Sequence, residues 1–357
     1  MLTGWRGLGA FWLAILLLMA CGVVVLQTLG PLPPPSRAPQ PARPARVAAA
    51  SVAAAKPAPP PLVTRHVDAP PGDRPGRDTP GPIADPDPAL LEPGPGGASD
   101  MLPRIAEDGR RPMQFYAAGF DQSNRRPRIG ILVAGIGLNR ADSEKAIHDL
   151  PGPITLAVSP YATQLAPLLA AARLAEHEYL LSIPMEPQAF PQNDPGPRAL
   201  MTSLSSTDNL DRLRWLMAHL QGYVGVTNAL GGELRGERFA GMAKQMAPAL
   251  AEIAHRGLLY VDARPADAGG QAVQNQVWSA DVDLVVDEPL DDIDVKLARL
   301  ELMAHDKGES LGLVGEPSPV VVQHLAAWAN GLLNRGLALA PVSALVRPPA
   351  EVAASGQ

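Results

Sequence analysis

The side chains best suited to chemistry are acids and amides that follow short apolar runs. Glu186 follows Ile183-Pro184-Met185, Asn228 follows Val226-Thr227, and Asp262 follows Leu259-Tyr260-Val261, with Arg264 two residues on. Glu233, Asp287 and Tyr161 occupy comparable places. Carboxylates so placed can serve as general acid or base, or hold a hard divalent cation. Glu186, Asp262 and Arg264 are therefore the catalytic candidates, and Asn228, Glu186 and Tyr161 the ligand-binding ones. Asp262 and Arg264 have a second reading, as an ion pair that satisfies itself and needs no ligand.

Softer metal donors are scarce. Cys21 is the only cysteine, which excludes an internal disulfide and a cysteine-based zinc site. Of the seven histidines, His66 lies in the amino-terminal tail. His148, His177, His219, His255, His305 and His324 map to expected helices or helix ends and read as surface or helix-end residues. The acidic run Asp281, Asp283, Asp287, Glu288, Asp291, Asp292 and Asp294 lacks the glycine-centred ligand spacing of a calcium loop. It reads as a solvated loop and helix start, with Asp292 or Asp294 near the cap. Gly135-Ile136-Gly137 has two glycines of a dinucleotide fingerprint, but Arg140 replaces the third, and Val158 and Ser159 stand where a ribose-binding acid is required.

These residues need elements to position them. Ile129–Val133, Ile154–Val158, Tyr179–Ile183, Tyr223–Val226, Leu258–Val261, Val282–Val286, Leu311–Val314 and Leu337–Leu339 are short apolar runs of the kind buried on both faces of a parallel sheet. Helical spacing recurs at Leu165, Leu168, Leu169 and Ala172, over 238–255, at Val295 to Met303, and over 320–333. Alternating strands and helices predict an α/β domain, either a barrel or a doubly wound open sheet. In both, functional residues follow the carboxyl ends of the strands.

Composition divides the chain. Between Pro31 and Pro112 stand 22 of the 40 prolines, in a stretch poor in aromatic and β-branched residues. Such a stretch predicts a disordered linker over 31–127, a folded domain over 128–346 and a tail over 347–357. Residues 1–127 carry 13 basic and 10 acidic side chains, a net of +3; the remaining 17 and 26 give 128–357 a net of −9. An acidic domain does not suit a phosphate backbone, so no nucleic-acid partner is expected. Residues 1–30 hold an apolar run from Leu8 to Leu29, long enough for a transmembrane helix. An uncleaved single-pass anchor in the inner membrane, with the domain facing the periplasm, is the expectation; a cleaved signal or a lipoprotein box at Cys21 are the alternatives.

The loops also follow a familiar order. Gly135-Ile136-Gly137 leads to Leu150-Pro151-Gly152-Pro153, Pro160-Tyr161-Ala162, His177-Glu178 and Pro184-Met185-Glu186-Pro187. Asp194-Pro195-Gly196-Pro197, Thr227-Asn228-Ala229 and Val261-Asp262-Ala263-Arg264 come next. This succession resembles the divergent polysaccharide deacetylases, relatives of the NodB-like deacetylases. The resemblance implies a distorted (β/α) barrel of the glycoside hydrolase/deacetylase type that handles N-acetylated sugar polymers. It also implies a divalent metal such as zinc, held by an Asp and two His, with a second Asp as general base. This chain departs from that pattern. Ala134 and Gly135 stand at the Asp-Asp pair, and Ser182 and Ala229 at the two histidines. A methyl group cannot ligate zinc, and a lone hydroxyl ligates it weakly.

The expectation is a membrane-anchored relative that binds a glycan or another envelope component, with no metal, no cofactor and no metal-dependent deacetylation. An active hydrolase rebuilt on Glu186, Asp262 and Glu233, and a non-catalytic interaction protein of the envelope, are the alternatives.

Overall fold

The computed structural model describes residues 75–265, 276–287, 289 and 292–349, together with Trp12 and Ile15. The chain enters through a hairpin, β1 (Leu91–Gly94) and β2 (Gly97–Pro103), and a short helix α1 (Pro112–Phe115). Strand β3 (Arg128–Ile136) then begins a repeating pattern. Helix α2 (Arg140–Asp149) leads to β4 (Thr155–Val158), α3 (Leu165–Leu174) to β5 (Tyr179–Ser182), and α4 (Ser206–Met217) to β6 (Gly225–Thr227). Helices α5 (Glu237–Ala240) and α6 (Ala243–His255) precede β7 (Leu259–Asp262). Strands β8 (Ser279–Asp281) and β9 (Leu284–Val285), helix α7 (Ile293–Lys307), β10 (Glu309–Val314), α8 (Pro319–Asn330) and β11 (Ala338–Leu339) complete the series.

Local sequence starts several of these helices. Asn139 accepts from the Asp142 N–H at the head of α2, and Ser205 from the Asp208 N–H at the head of α4. Ser318 caps α8, with Pro319 at its first turn, where a missing N–H costs nothing.

The strands run parallel in the order β8-β7-β6-β5-β4-β3-β10-β9, with β11 also beside β3. The two ends of this order are almost adjacent in the chain. Val282 donates to Asp262 on β7 at 3.0 Å, and the next residue, Asp283, donates to Leu311 on β10 at 2.8 Å. One short segment thus changes partner between consecutive residues and lies against both edges. The curled sheet fits a distorted barrel rather than a doubly wound open sheet. The expected single strand over 282–286 is divided at this change of partner.

Alternation along the strands sorts the core. Ile131, Val133, Leu156, Leu181 and Val226 pack towards the helices, whereas Leu132, Ala134, Ala157, Leu180 and Leu311 form a second cluster inside the barrel. That inner cluster also contains Ile83, Leu90, Met113, Tyr116, Ala117 and Ala118. The expected disordered linker over 31–127 therefore requires correction in its last part. Residues 75–127 form a strap across the amino ends of the strands. Met113 donates its N–H to Gly257 just before β7, and Ile83 donates to Arg173 at the end of α3. Each large apolar side chain buried this way contributes about 1.5–3 kcal/mol, enough to order a segment whose own pattern is weak.

Helices α2 and α4 add to those expected, and the helix expected over 238–255 is interrupted at Gly241. Among the described residues no helix is long and apolar enough to cross a membrane. The expected single-pass placement in the inner membrane is corrected accordingly. Apart from Trp12 and Ile15, residues 1–30 and the linker over 31–74 lie outside the described residues.

Candidate functional site

The carboxyl ends of the strands meet at a mouth built largely of main chain. Between Val133 and Ile136, β3 carries one more residue than its partner β4, a bulge that places Gly135 at φ +74°. A Cβ placed on Gly135 would lie 3.2 Å from the Gly315 carbonyl oxygen and 3.5 Å from Pro317 Cδ. One placed on Gly231, after β6, would meet Leu138 Cδ1 at 2.8 Å and Gly135 Cα at 3.3 Å. Gly232 donates its N–H to Gly315 at 3.0 Å. The backbones following β3, β6 and β10 therefore close on one another, which side chains at these positions would prevent. Asp287 holds the β10 loop, accepting from the Gly315 and Glu316 N–H groups at 2.9–3.0 Å.

Beneath this closure Ala134, Ser182 and Ala229 are all fully buried, and Ala134 and Ala229 belong to the inner cluster. Ser182 ends β5 opposite Thr227, and its hydroxyl has no hydrogen-bond partner. One buried hydroxyl beside two methyl groups and a glycine does not fit a divalent ion, which needs several charged or strongly basic donors. Among the described residues no group of three His, Cys, Asp or Glu is arranged to hold one.

The candidate carboxylates are committed elsewhere. Glu186 is buried and accepts from the Thr202 N–H at 2.6 Å and the Thr202 hydroxyl at 2.7 Å, while Arg238 Nη1 donates at 3.1 Å. Burial alone would raise this carboxyl, but the Thr202 bonds and the Arg238 charge outweigh it and hold it below the usual carboxylate range. Asp262 takes a two-pronged contact from Arg264, Nη2 at 2.6 Å and Nε at 3.0–3.2 Å, and accepts the Arg264 backbone N–H at 3.0 Å. Burial would lower the guanidinium, but the adjacent Asp262 carboxylate raises it. Asn228 bridges the loops, donating to Arg235 O at 2.6 Å and to Asp262 at 3.4 Å, and accepting from the Ala263 N–H at 2.8 Å.

Asp262, Arg264 and Asn228 thus form one buried cluster, and Glu186 belongs to a separate one with Thr202 and Arg238. Their arrangement resists loop movement; none offers an uncommitted pair of carboxylates. Tyr161 is half-buried against Gly196, whose φ of +101° and missing Cβ admit the ring. Burial pushes its phenol up. Glu233 is exposed on the turn after Gly232. Thr202, Arg235 and Arg238 were not evident as site residues, because their partners are 16, 7 and 52 residues away and no short motif links them.

Two expectations about titratable residues change. His177, expected at the surface or at a helix end, does follow the end of α3, its N–H donating to Ala172 O. It is nevertheless buried, with Nδ1 2.8 Å from Ile154 O and Nε2 3.2 Å from Ile147 O, and burial lowers its pKa. In the acidic run, Asp283 accepts from Leu311 N at 2.9 Å and Lys307 Nζ at 3.1 Å, so it pins β9 to β10 rather than being merely solvated. Asp281 is pushed up to about 6, first by burial and then by the Asp262 charge. Asp292 occupies the cap of α7 without a side-chain cap bond; Glu288 and Asp291 lie outside the described residues. His66 does too.

The curled parallel sheet, with its loop residues gathered at the carboxyl ends of the strands, makes this a distorted α/β barrel protein. Residues 131–346 match the divergent polysaccharide deacetylases, and the chain belongs to that family. Membership makes it a deacetylase-like, carbohydrate-related protein. The crystal structure of an uncharacterized protein from Agrobacterium tumefaciens C58 is 32% identical, with a TM-score of 0.63, over 69% of this chain and 100% of that one. A protein from Enterococcus faecalis V583 assigned to cellobiose-phosphate cleavage is 13% identical, with a TM-score of 0.44, over 62% of this chain and 100% of that one. No curated protein matches the chain.

Proposed function

We propose that this protein binds N-acetylated glycan through a deacetylase-type barrel and does not perform metal-dependent deacetylation. The observation that carries this reading is the left-handed Gly135 packed against the Gly315 carbonyl, at a position where the family pattern has a carboxylate. The non-ligating Ala134, Ser182 and Ala229 support it. So does the engagement of Glu186 and Asp262 with their own arginines, which leaves neither as an obvious general base for a rebuilt site.

Acetate release from chitooligosaccharides and peptidoglycan fragments, measured with and without added zinc, tests the catalytic half. The expected result is no release above buffer. Titration calorimetry with the same oligosaccharides tests the binding half, and saturable heat is expected. Acetate release that depends on metal and is abolished by chelation would overturn the reading.

A further inference from the structure

A fully buried carboxylate with no basic partner among its hydrogen-bond donors lies at the opposite end of the barrel. Glu178, fully buried just before β5, accepts four hydrogen bonds. Oε2 receives the Ala118 N–H at 2.9 Å and the Ser343 hydroxyl at 2.6 Å; Oε1 receives the Ser343 N–H and the Thr155 hydroxyl, both at 3.0 Å. Thr155 Oγ1 also accepts the Val342 N–H at 2.9 Å. The donors belong to three separate segments: the strap, strand β4 and the 3-10 turn Val342–Ala344 that follows β11.

We propose that Glu178 is a shared latch coupling the amino-terminal strap to the carboxyl-terminal turn, so that loosening one loosens the other. The two segments also meet directly, since Phe120 on the strap packs with Ala338, Ala340 and Ala344, and Arg128 Nη1 donates to both Gln122 Oε1 at 3.2 Å and Ala344 O at 3.1 Å. Glu178 is the buried carboxylate within that contact. Oε2 binds Ala118 and Ser343 together, so the carboxylate cannot turn towards one without stretching the other. Oε1 is fixed in the same way by Thr155 and the Ser343 backbone. A buried carboxylate that loses one donor is driven to find another, and here any movement comes at the expense of the strap. Met113, Tyr116 and Ala117 on the strap share the inner cluster with Ala134 and Ala229, so the latch also supports the mouth from below. This coupling is independent of whether the mouth binds glycan.

Hydrogen exchange on the full chain tests the proposal. Ser343→Ala removes one hydroxyl from the turn and leaves the strap's own donor to Glu178, the Ala118 N–H, in place. The expected result is about tenfold faster exchange in peptides covering 116–120, with α7 and β10 unchanged; tenfold corresponds to about 1.4 kcal/mol of opening free energy. Ser318→Ala, which removes a helix-capping hydroxyl at α8, should leave 116–120 unaffected. Glu178→Gln, which turns one acceptor into a donor facing N–H or O–H groups, should reproduce the Ser343→Ala pattern more strongly. If Glu178→Gln does not fold, Ser343→Ala decides alone. Unchanged exchange at 116–120 in Ser343→Ala, or an equal rise across the whole barrel, would overturn the latch.

Discussion

Replacing Gly135 by Asp restores a carboxylate at the mouth and measures what its absence permits. At φ +74° an L-residue loses about 1–2 kcal/mol relative to glycine. Gly308, at φ +88° with nothing within 4 Å of an added Cβ, isolates that conformational cost in Gly308→Ala. At Gly135 the Cβ also meets the Gly315 oxygen at 3.2 Å, so Gly135→Ala is expected to cost about 1 kcal/mol more than Gly308→Ala. In Gly135→Asp the charged group stands beside that oxygen with no cation to offset it, which adds about 1–3 kcal/mol. Urea denaturation with and without zinc at 100 μM is the assay. If the carboxylate rebuilt a metal site, zinc at about a hundredfold excess over its Kd would return about 2.7 kcal/mol. No such return is expected. A Gly135→Ala cost no larger than that of Gly308→Ala would refute the steric reasoning, and zinc rescue of Gly135→Asp would refute the claim that the mouth lacks a ligand set.

Arg264→Ala leaves Asp262 buried beside Asn228 without its counter-charge and is expected to cost about 3–5 kcal/mol, read as a lower urea midpoint. Arg264→Lys should recover only part of this, because an ammonium cannot reproduce the two-pronged contact. Glu186→Gln weakens the bonds from Thr202 and Arg238 and should lower stability by about 1–3 kcal/mol at pH 7. The held-down carboxyl stabilises the fold above its ordinary pKa, and that contribution is lost as pH falls through its lowered value, so the gap between Glu186→Gln and the parent should narrow in acid. Asp281 has the opposite sign. Raised to about 6 from 3.8, it contributes stability below about pH 4 and loses it as pH rises through 6. Asp281 is only partly buried and also faces Arg347 and Arg264, so solvent screening reduces the effect. Asp281→Asn should be about 1 kcal/mol more stable than the parent at pH 8, with the difference vanishing near pH 4, as followed by thermal melts across that range.

Sequence alone determined the succession of strands and helices wherever a run was buried on both faces. The runs at Ile129, Tyr179 and Leu311 are short and apolar throughout, the pattern of strands buried on both faces, and β3, β5 and β10 lie there. Helices α2 and α4 were less legible, because their buried faces are short and mixed with polar residues. That Ala134, Gly135, Ser182 and Ala229 bear no carboxylate or imidazole is likewise a matter of composition. The pairing of Asp262 with Arg264 was readable from their two-residue separation, as one of two readings.

Tertiary structure decided the rest, for reasons of distance. Residues 75–127 look unfoldable in isolation because Leu90, Met113 and Tyr116 are spread among prolines; they gain an apolar surface only from strands that follow them in the chain. Glu186 finds Thr202 and Arg238 only once the loops converge. The change of partner at Val282 and Asp283 depends on two strand edges arriving within one hydrogen-bond width, which no local pattern can specify.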